Sequence, residues 1–202
     1  MASRRVLLVL ESLRAGGAER LVVTTLARLD RARFEPQVAI LFSHDDLAGE
    51  LETMGVPVHR LGLTGPSELL RGARRLRALV RREGIHLVHS HLVLANLAAR
   101  LAVLRSVPLV TTLHNPDYTH EANRSLRFFA RKGLDRATLA WTRPTLLAVS
   151  AAVREDYERH FHARGIRVLH NYVDIAGLEA RLAAVDRLGV RRSLGIAPQE
   201  VV

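Results

Sequence analysis

Two adjacent glycines and a handful of histidines are the residues here whose types and spacing could do chemistry. His89 and His91 stand two apart in "VHSHL", a spacing that puts both on one face of a strand. His114 and Asn115 follow in "TTLHNPD", and His170 and Asn171 in "VLHNYVD". Gly16 and Gly17 sit in "VLESLRAGGAERLVV", where an apolar run breaks and a helical pattern starts at once. Paired imidazoles suit zinc when a third ligand joins them, here His114, with a carboxylate or water to complete the set. A hydrogen bond from His114 to a ligand hydroxyl asks less of the spacing and is the preferred reading. His89 also reads as a structural histidine packed over the sheet edge. The glycines have two readings of equal weight. They form a simple turn, or they let backbone N–H groups approach an anion at a helix start.

Two named phosphate motifs do not fit. A dinucleotide fingerprint needs three spaced glycines, and a P-loop needs Gly-Lys-Ser/Thr, whereas Lys132 is the only lysine in the chain. Ser150 lacks the Gly-x-Ser-x-Gly elbow of a hydrolase nucleophile. Its ordinary role is to cap a helix starting at Ala151, with Glu155 in the first turns.

The elements that must position these residues alternate regularly. Strand-like runs fall at Val6–Leu10, Gln37–Phe42, Val56–Leu61, Leu87–Ser90, Leu109–Leu113, Thr145–Val149 and Arg167–Leu169. Helical patterns fall between them at Ala18–Leu29, Asp46–Met54, Ser67–Arg82, Leu92–Leu104, His120 to about Trp141, and Ala151–Phe161. Short apolar strands alternating with helices predict a Rossmann-like, doubly wound, mostly parallel sheet of about seven strands. In such a sheet ligands bind beyond the carboxyl ends of the strands. Gly16, Gly17, His91, His114, Asn115, Ser150 and Asn171 all fall just after a strand or at its end, so they gather on one rim. Residues 1–174 read as this domain. Residues 175–202 read as a helical linker, with "LGIAPQEVV" entering the first strand of a further domain that the sequence does not contain.

Composition narrows the classes. Of 202 residues, 48% are apolar and 25% charged, the balance of an ordinary globular protein with a buried core. There is no cysteine, which excludes disulfides and thiolate metal sites and fits a reducing, cytoplasmic setting. The run after Arg4 and Arg5 ends at Glu11 without a cleavage site, so it reads as a strand rather than a signal peptide. The most apolar helix pattern is interrupted by Asn96 and Arg100, so no membrane span is expected.

The net charge is +10, which raises phosphate-rich partners. The helix at Ser67–Glu83 carries Arg71, Arg74, Arg75, Arg77, Arg81 and Arg82 beside an apolar stripe. Its plain reading is a solvated outer face over a packed inner one. The sharper reading is peripheral contact with an anionic membrane through the Arg71–Arg82 helix, helped by Arg124, Arg127, Arg131 and Lys132 around Phe128 and Phe129. Nucleic acid is not expected, since aromatics are only 4% of the chain and no reading module appears.

Five motifs in series, "GGAER", "VHSHL", "TTLHN", "LLAVSAAVREDY" and "VLHNYVD", resemble the amino-terminal half of GT-B glycosyltransferases of the family-four retaining group. The last motif departs from the family's Pro-Asn-Gly-Val-Asp, with Tyr172 where glycine is usual. The resemblance implies a two-domain enzyme moving a sugar from a nucleoside diphosphate sugar to a sugar or lipid-linked acceptor, with retention and without an essential metal. It needs no cofactor beyond that co-substrate. The glycine loop would approach the donor diphosphate and His114 would position the donor sugar. The nucleotide pocket and a pair of glutamates would belong to a carboxy-terminal domain missing here, leaving this chain inactive alone, at the inner membrane face or in the cytoplasm. Two rivals are a non-catalytic module binding a phosphorylated sugar or lipid, and an oxidoreductase on a related sheet.

Overall fold

A computed structural model describes residues 3–116, 125–197 and 199–200. Among them the chain runs β1 (Arg4–Leu10), α1 (Gly17–Ala27), β2 (Phe34–Ile40), α2 (Ala48–Thr53), β3 (Val58–Arg60), α3 (Leu69–Arg82), β4 (Leu87–His91), α4 (Val93–Val103), β5 (Leu109–Leu113), α5 (Leu126–Thr142), β6 (Thr145–Ala148), α6 (Ala151–Phe161) and β7 (Arg167–Val168). The strands form one sheet in the order β3-β2-β1-β4-β5-β6-β7, and every pairing is parallel. The order reverses between β1 and β4, which opens a crevice beyond their carboxyl ends.

The sequence of β1 explains both faces. Leu7 and Val9 point into a cluster with Leu76 and Leu79 of α3 and Ala98 and Ala102 of α4. Val6, Leu8 and Leu10 point the other way, onto Val22 and Leu26 of α1 and Leu51 of α2. A strand covered on both faces has no polar side to show, so its run is apolar throughout. Full burial of a side chain such as Leu7 contributes about 1.5–3 kcal/mol. The arginine-led run at the amino terminus is thus a strand in the middle of the sheet.

Several boundaries shift from their expected places. β2 starts at Phe34 and includes Pro36, because β3 pairs only from Val38 onward and the missing N–H faces no partner there. Pro57 shortens β3 to Val58–Arg60, and Val56 is buried in the second cluster instead. The arginine helix begins with a tight turn at Pro66–Glu68 before α3 proper. α5 starts at the cap Ser125, whose Oγ accepts from the Phe128 N–H at 3.3 Å; the expected helix at His120–Arg124 lies outside the described residues.

The two polar residues read as interruptions of α4 are both buried. Arg100 Nη1 meets Asp135 Oδ1 of α5 at 2.5 Å and Thr138 Oγ1 at 3.1 Å. This buried pair ties α4 to α5.

The chain separates into two compact units, Met1–Asn171 and Tyr172–Val202. The second holds two short helices, α7 (Ile175–Ala183) and α8 (Arg187–Ser193), capped by Asp174 and Asp186. The strand start expected at Val201 and Val202 lies outside the described residues. Tyr172 adopts no left-handed φ, so the turn that carries glycine in the family accepts a side chain here without backbone strain.

Candidate functional site

The rim beyond β1, β4 and β5 gathers most of the expected residues. Gly16 is the N-cap of α1, with φ −99° and ψ 168°, and Gly17 is the first helical residue. Neither adopts a positive φ. The turn therefore does not need glycine for its backbone conformation. Nothing lies within 4 Å of where a Cβ on Gly17 would stand, and a Cβ on Gly16 would meet only the Glu19 carboxylate. Glu19 is three residues past the cap, and its buried carboxylate lies against Gly16 at the start of α1.

His91 is the last residue of β4 and His114 the first after β5, on neighbouring strands. Their rings meet directly, with His91 Nδ1 and His114 Nε2 3.1 Å apart. His89 stacks on His91 at a centroid distance of 4.3 Å and bonds Thr112 Oγ1 through Nε2 at 2.8 Å. In this geometry the imidazoles bond each other and a hydroxyl. Among the described residues no group of three or more His, Asp or Glu is placed to hold a metal.

Burial governs the charge of all three rings. It lowers His89 and His114 to about 4, the former helped by nearby His114, and holds His91 well below its ordinary value, with its two neighbours adding to the effect. At neutral pH the cluster is uncharged, and each ring is one donor and one acceptor. His91 Nε2 is buried without a partner among the described residues, and so is Asn96 Oδ1 on the first turn of α4. Native folds leave few such atoms.

Sequence reasoning passes over one residue of the rim, Glu11. It stands directly after β1, at the strand end where ligands collect in such a sheet, but the paired glycines five residues on are the more conspicuous signal. Its Oε1 accepts from the Leu94 N–H at the start of α4 at 2.8 Å. Burial pushes its carboxyl above the usual range, the Leu94 bond opposes this, and Glu19 adds to the rise. Between His91 and α4, Leu92 holds φ 70° and ψ 157°, a region nearly exclusive to glycine. Such a backbone costs roughly 1–3 kcal/mol and persists where surrounding structure enforces it.

The remaining candidates are less closely engaged. Ser150 is half-buried and its Oγ accepts from the Val153 N–H at 3.2 Å, the capping role read from sequence. Asn115 is exposed just past His114. Asn171 is exposed beyond β7, the edge strand, which strand spacing puts roughly 10 Å from β5. The structure thus joins His91 to His114, sets Gly16 and Gly17 on the adjacent strand end, and leaves Asn171 at the periphery. Of the basic patch on α5, Phe129 is exposed and the Arg131 guanidinium lies over the Phe128 ring at 5.7 Å. Arg124 and the Arg127 side chain lie outside the described residues.

An all-parallel sheet in this order, with polar side chains collected at its switch point, defines a Rossmann-like α/β domain of the kind that forms one half of a GT-B protein. Residues 15–176 match the family described as Glycosyltransferase Family 4, and the chain belongs to that family. No curated protein matches it in sequence. Among solved structures it is similar to HepE from Anabaena in complex with UDP, at 18% identity and a TM-score of 0.67, covering 95% of this chain and 50% of that one. A glycosyltransferase from Rickettsia africae is 14% identical with a TM-score of 0.66, covering 98% and 51%. A UDP-GlcNAc 2-epimerase from Neisseria meningitidis bound to UDP-GlcNAc is 14% identical with a TM-score of 0.68, covering 96% and 55%. The chain spans about half the length of these structures. At such identities the likeness shows the fold alone. Among the described residues no helix is long and apolar enough to cross a membrane.

Proposed function

We propose that this chain is the acceptor-side domain of a retaining glycosyltransferase that moves a sugar from a nucleoside diphosphate sugar to a sugar or lipid-linked acceptor. The single observation that carries the reading is the neutral His91–His114 pair at the switch point, bonded at 3.1 Å with a buried ring nitrogen of His91 left over. A neutral imidazole donates or accepts a hydrogen bond to a sugar hydroxyl without adding charge to the site. Gly16 and Gly17 bring open N–H groups of α1 toward the diphosphate, where fixed donors stabilise the charge that develops on the leaving group. Glu19 swings aside when that anion approaches, since its carboxylate occupies the same helix end. Asn115, Ser150 and Asn171 are assigned to donor or acceptor binding around this centre. His91 is assigned to the same role, holding His114. No metal or cofactor is required in this scheme; a carboxy-terminal half supplies the nucleotide pocket and the acids.

Support comes from the family match and from two neighbours whose bound ligands are UDP and UDP-GlcNAc. The deciding experiment compares sugar transfer by the 202-residue chain alone with transfer by the chain joined to a carboxy-terminal half taken from a structural relative. Transfer is expected only from the joined protein. Transfer by the chain alone at a full-length rate overturns this division of labour, and binding of a phosphorylated sugar without transfer by the joined protein favours a non-catalytic module. Peripheral contact with an anionic membrane through the Arg71–Arg82 helix is part of the same proposal, since a lipid-linked acceptor is presented at a bilayer.

A further inference from the structure

Of the six arginines on α3, four are already engaged. Arg71 pairs with Glu68 at 2.6 Å and Arg82 with Glu83 at 2.8 Å. Arg75 donates to the Leu61 carbonyl, and Arg77 donates to the carbonyls of Ala102 and Leu101 at 2.8 and 3.0 Å, closing the end of α4. Arg74 and Arg81 make no hydrogen bond or ion pair with the described residues. Both line one groove of about 410 Å³ between α3, α4 and the end of α5. The groove's other walls include Leu70, Leu104 and Trp141, and no acidic residue lines it.

Positions 70, 74, 77 and 81 fall three or four apart and so form one stripe of α3. The stripe is separate from the buried one at Ala73, Leu76 and Val80 that holds α3 to the sheet. Along it, Leu70 is followed by three arginines, Arg74, Arg77 and Arg81. Leu70 is 62% exposed and Trp141, the only tryptophan of the chain, is 59% exposed. An exposed tryptophan beside unpaired guanidiniums has the chemistry of a bilayer interface, where the ring sits at headgroup level and the cations meet phosphates. A second copy of the chain suits the groove poorly, because two faces of a molecule with net charge +10 would bring unpaired arginines together.

We infer that this groove seats the surface of an anionic phospholipid bilayer, with Trp141 and Leu70 entering the interfacial layer and Arg74 and Arg81 on lipid phosphates. The inference rests on the membrane contact in the proposed function and narrows it from a helix face to one groove.

The test uses the chain as it is, with Trp141 as the only indole fluorophore. Vesicles of phosphatidylglycerol mixed with phosphatidylcholine are compared with pure phosphatidylcholine, reading co-sedimentation and Trp141 emission together. Binding to the anionic vesicles alone is expected, with a blue shift of Trp141 that added salt removes. Arg74→Gln with Arg81→Gln should weaken partitioning by about tenfold or more, since each basic group near an anionic surface adds to binding. Arg71→Gln with Arg82→Gln, which removes arginines that already have partners, should weaken it much less. All four side chains are exposed, and circular dichroism confirms that the variants fold. Co-sedimentation with unchanged Trp141 emission overturns the groove while leaving membrane contact standing. No co-sedimentation overturns both. An equal shift with inorganic phosphate alone makes this a small-anion site, and a shift that tracks protein concentration without vesicles makes it a self-association face; either result overturns the inference.

Discussion

The rim at β4 and β5 and the outer stripe of α3 are two polar regions of the first unit, and they handle polarity in opposite ways. At the rim, three imidazoles are packed so closely that burial strips their charge, and they bond one another and Thr112. On α3 the guanidiniums keep their charge, and local carbonyls and glutamates absorb four of the six. The difference teaches where recognition sits in each. In the dry region it is directional, a ring nitrogen of fixed role; in the wet region it is a field left by the arginines that found no partner.

The sharpest way to break this contrast is to unpair a charge in each setting. Asp135→Ala leaves Arg100 buried and uncompensated, and should cost about 3–5 kcal/mol in urea unfolding. Glu83→Ala releases Arg82 on the surface and should cost far less, since an exposed pair is screened by solvent. Equal losses from the two would mean that the α4–α5 interface is wet.

Acid is the next largest lever. The folded-state imidazoles titrate well below 6.5, so unfolded histidines take up protons first as pH falls. Stability should be full above about pH 6.5 and decline toward about pH 4. The decline should be on the order of 3 kcal/mol for a fully buried ring. Glu11 acts with the opposite sign, because its raised carboxyl favours the folded state at lower pH. Unfolding midpoints that stay flat across this window would place charged or solvated histidines at the rim.

Activity offers a test of the rim alone. In a protein joined to a carboxy-terminal half, His114→Ala and Gly17→Val should each lower turnover by more than tenfold, or about 1.4 kcal/mol, and for Gly17→Val thermal stability should be nearly unchanged. Gly17 has room for an added Cβ in the free domain and holds no positive φ, so lost stability is not the expected cause. Normal turnover by a folded Gly17→Val variant would return the glycines to the role of a turn. The smallest effect is expected at Asn171→Ala, on the edge of the sheet, which should change turnover less than His114→Ala does; a larger loss would put the centre of the site nearer β7.

The alternation of strands and helices is legible because its signals are local and periodic. β5 and α6 have the bounds read from sequence, and Ser150 caps α6 as its type and place suggest. The ends of β2 and β3 are less legible, since whether Pro36 falls inside a strand depends on how far a neighbour extends. Among site residues, the histidines stand out by spacing. Glu11 does not, because its partner, the Leu94 N–H, lies 83 residues away.

What the sequence by itself determined is the class: a β1 run apolar on both faces, amphipathic helices between short strands, and five motifs in order. Those features act within one element or between elements joined in sequence. Only the tertiary structure decided which polar groups have partners. Arg100 reads as a surface interruption until Asp135, 35 residues on, closes over it. The six arginines of α3 read alike until carbonyls just past β3 and at the end of α4 take two of them and nearby glutamates take two more. Arg74 and Arg81 are left in the groove with Trp141. Hydrogen bonds and ion pairs are short-ranged and directional, so their pairing comes from how the layers stack and is not written in any one segment.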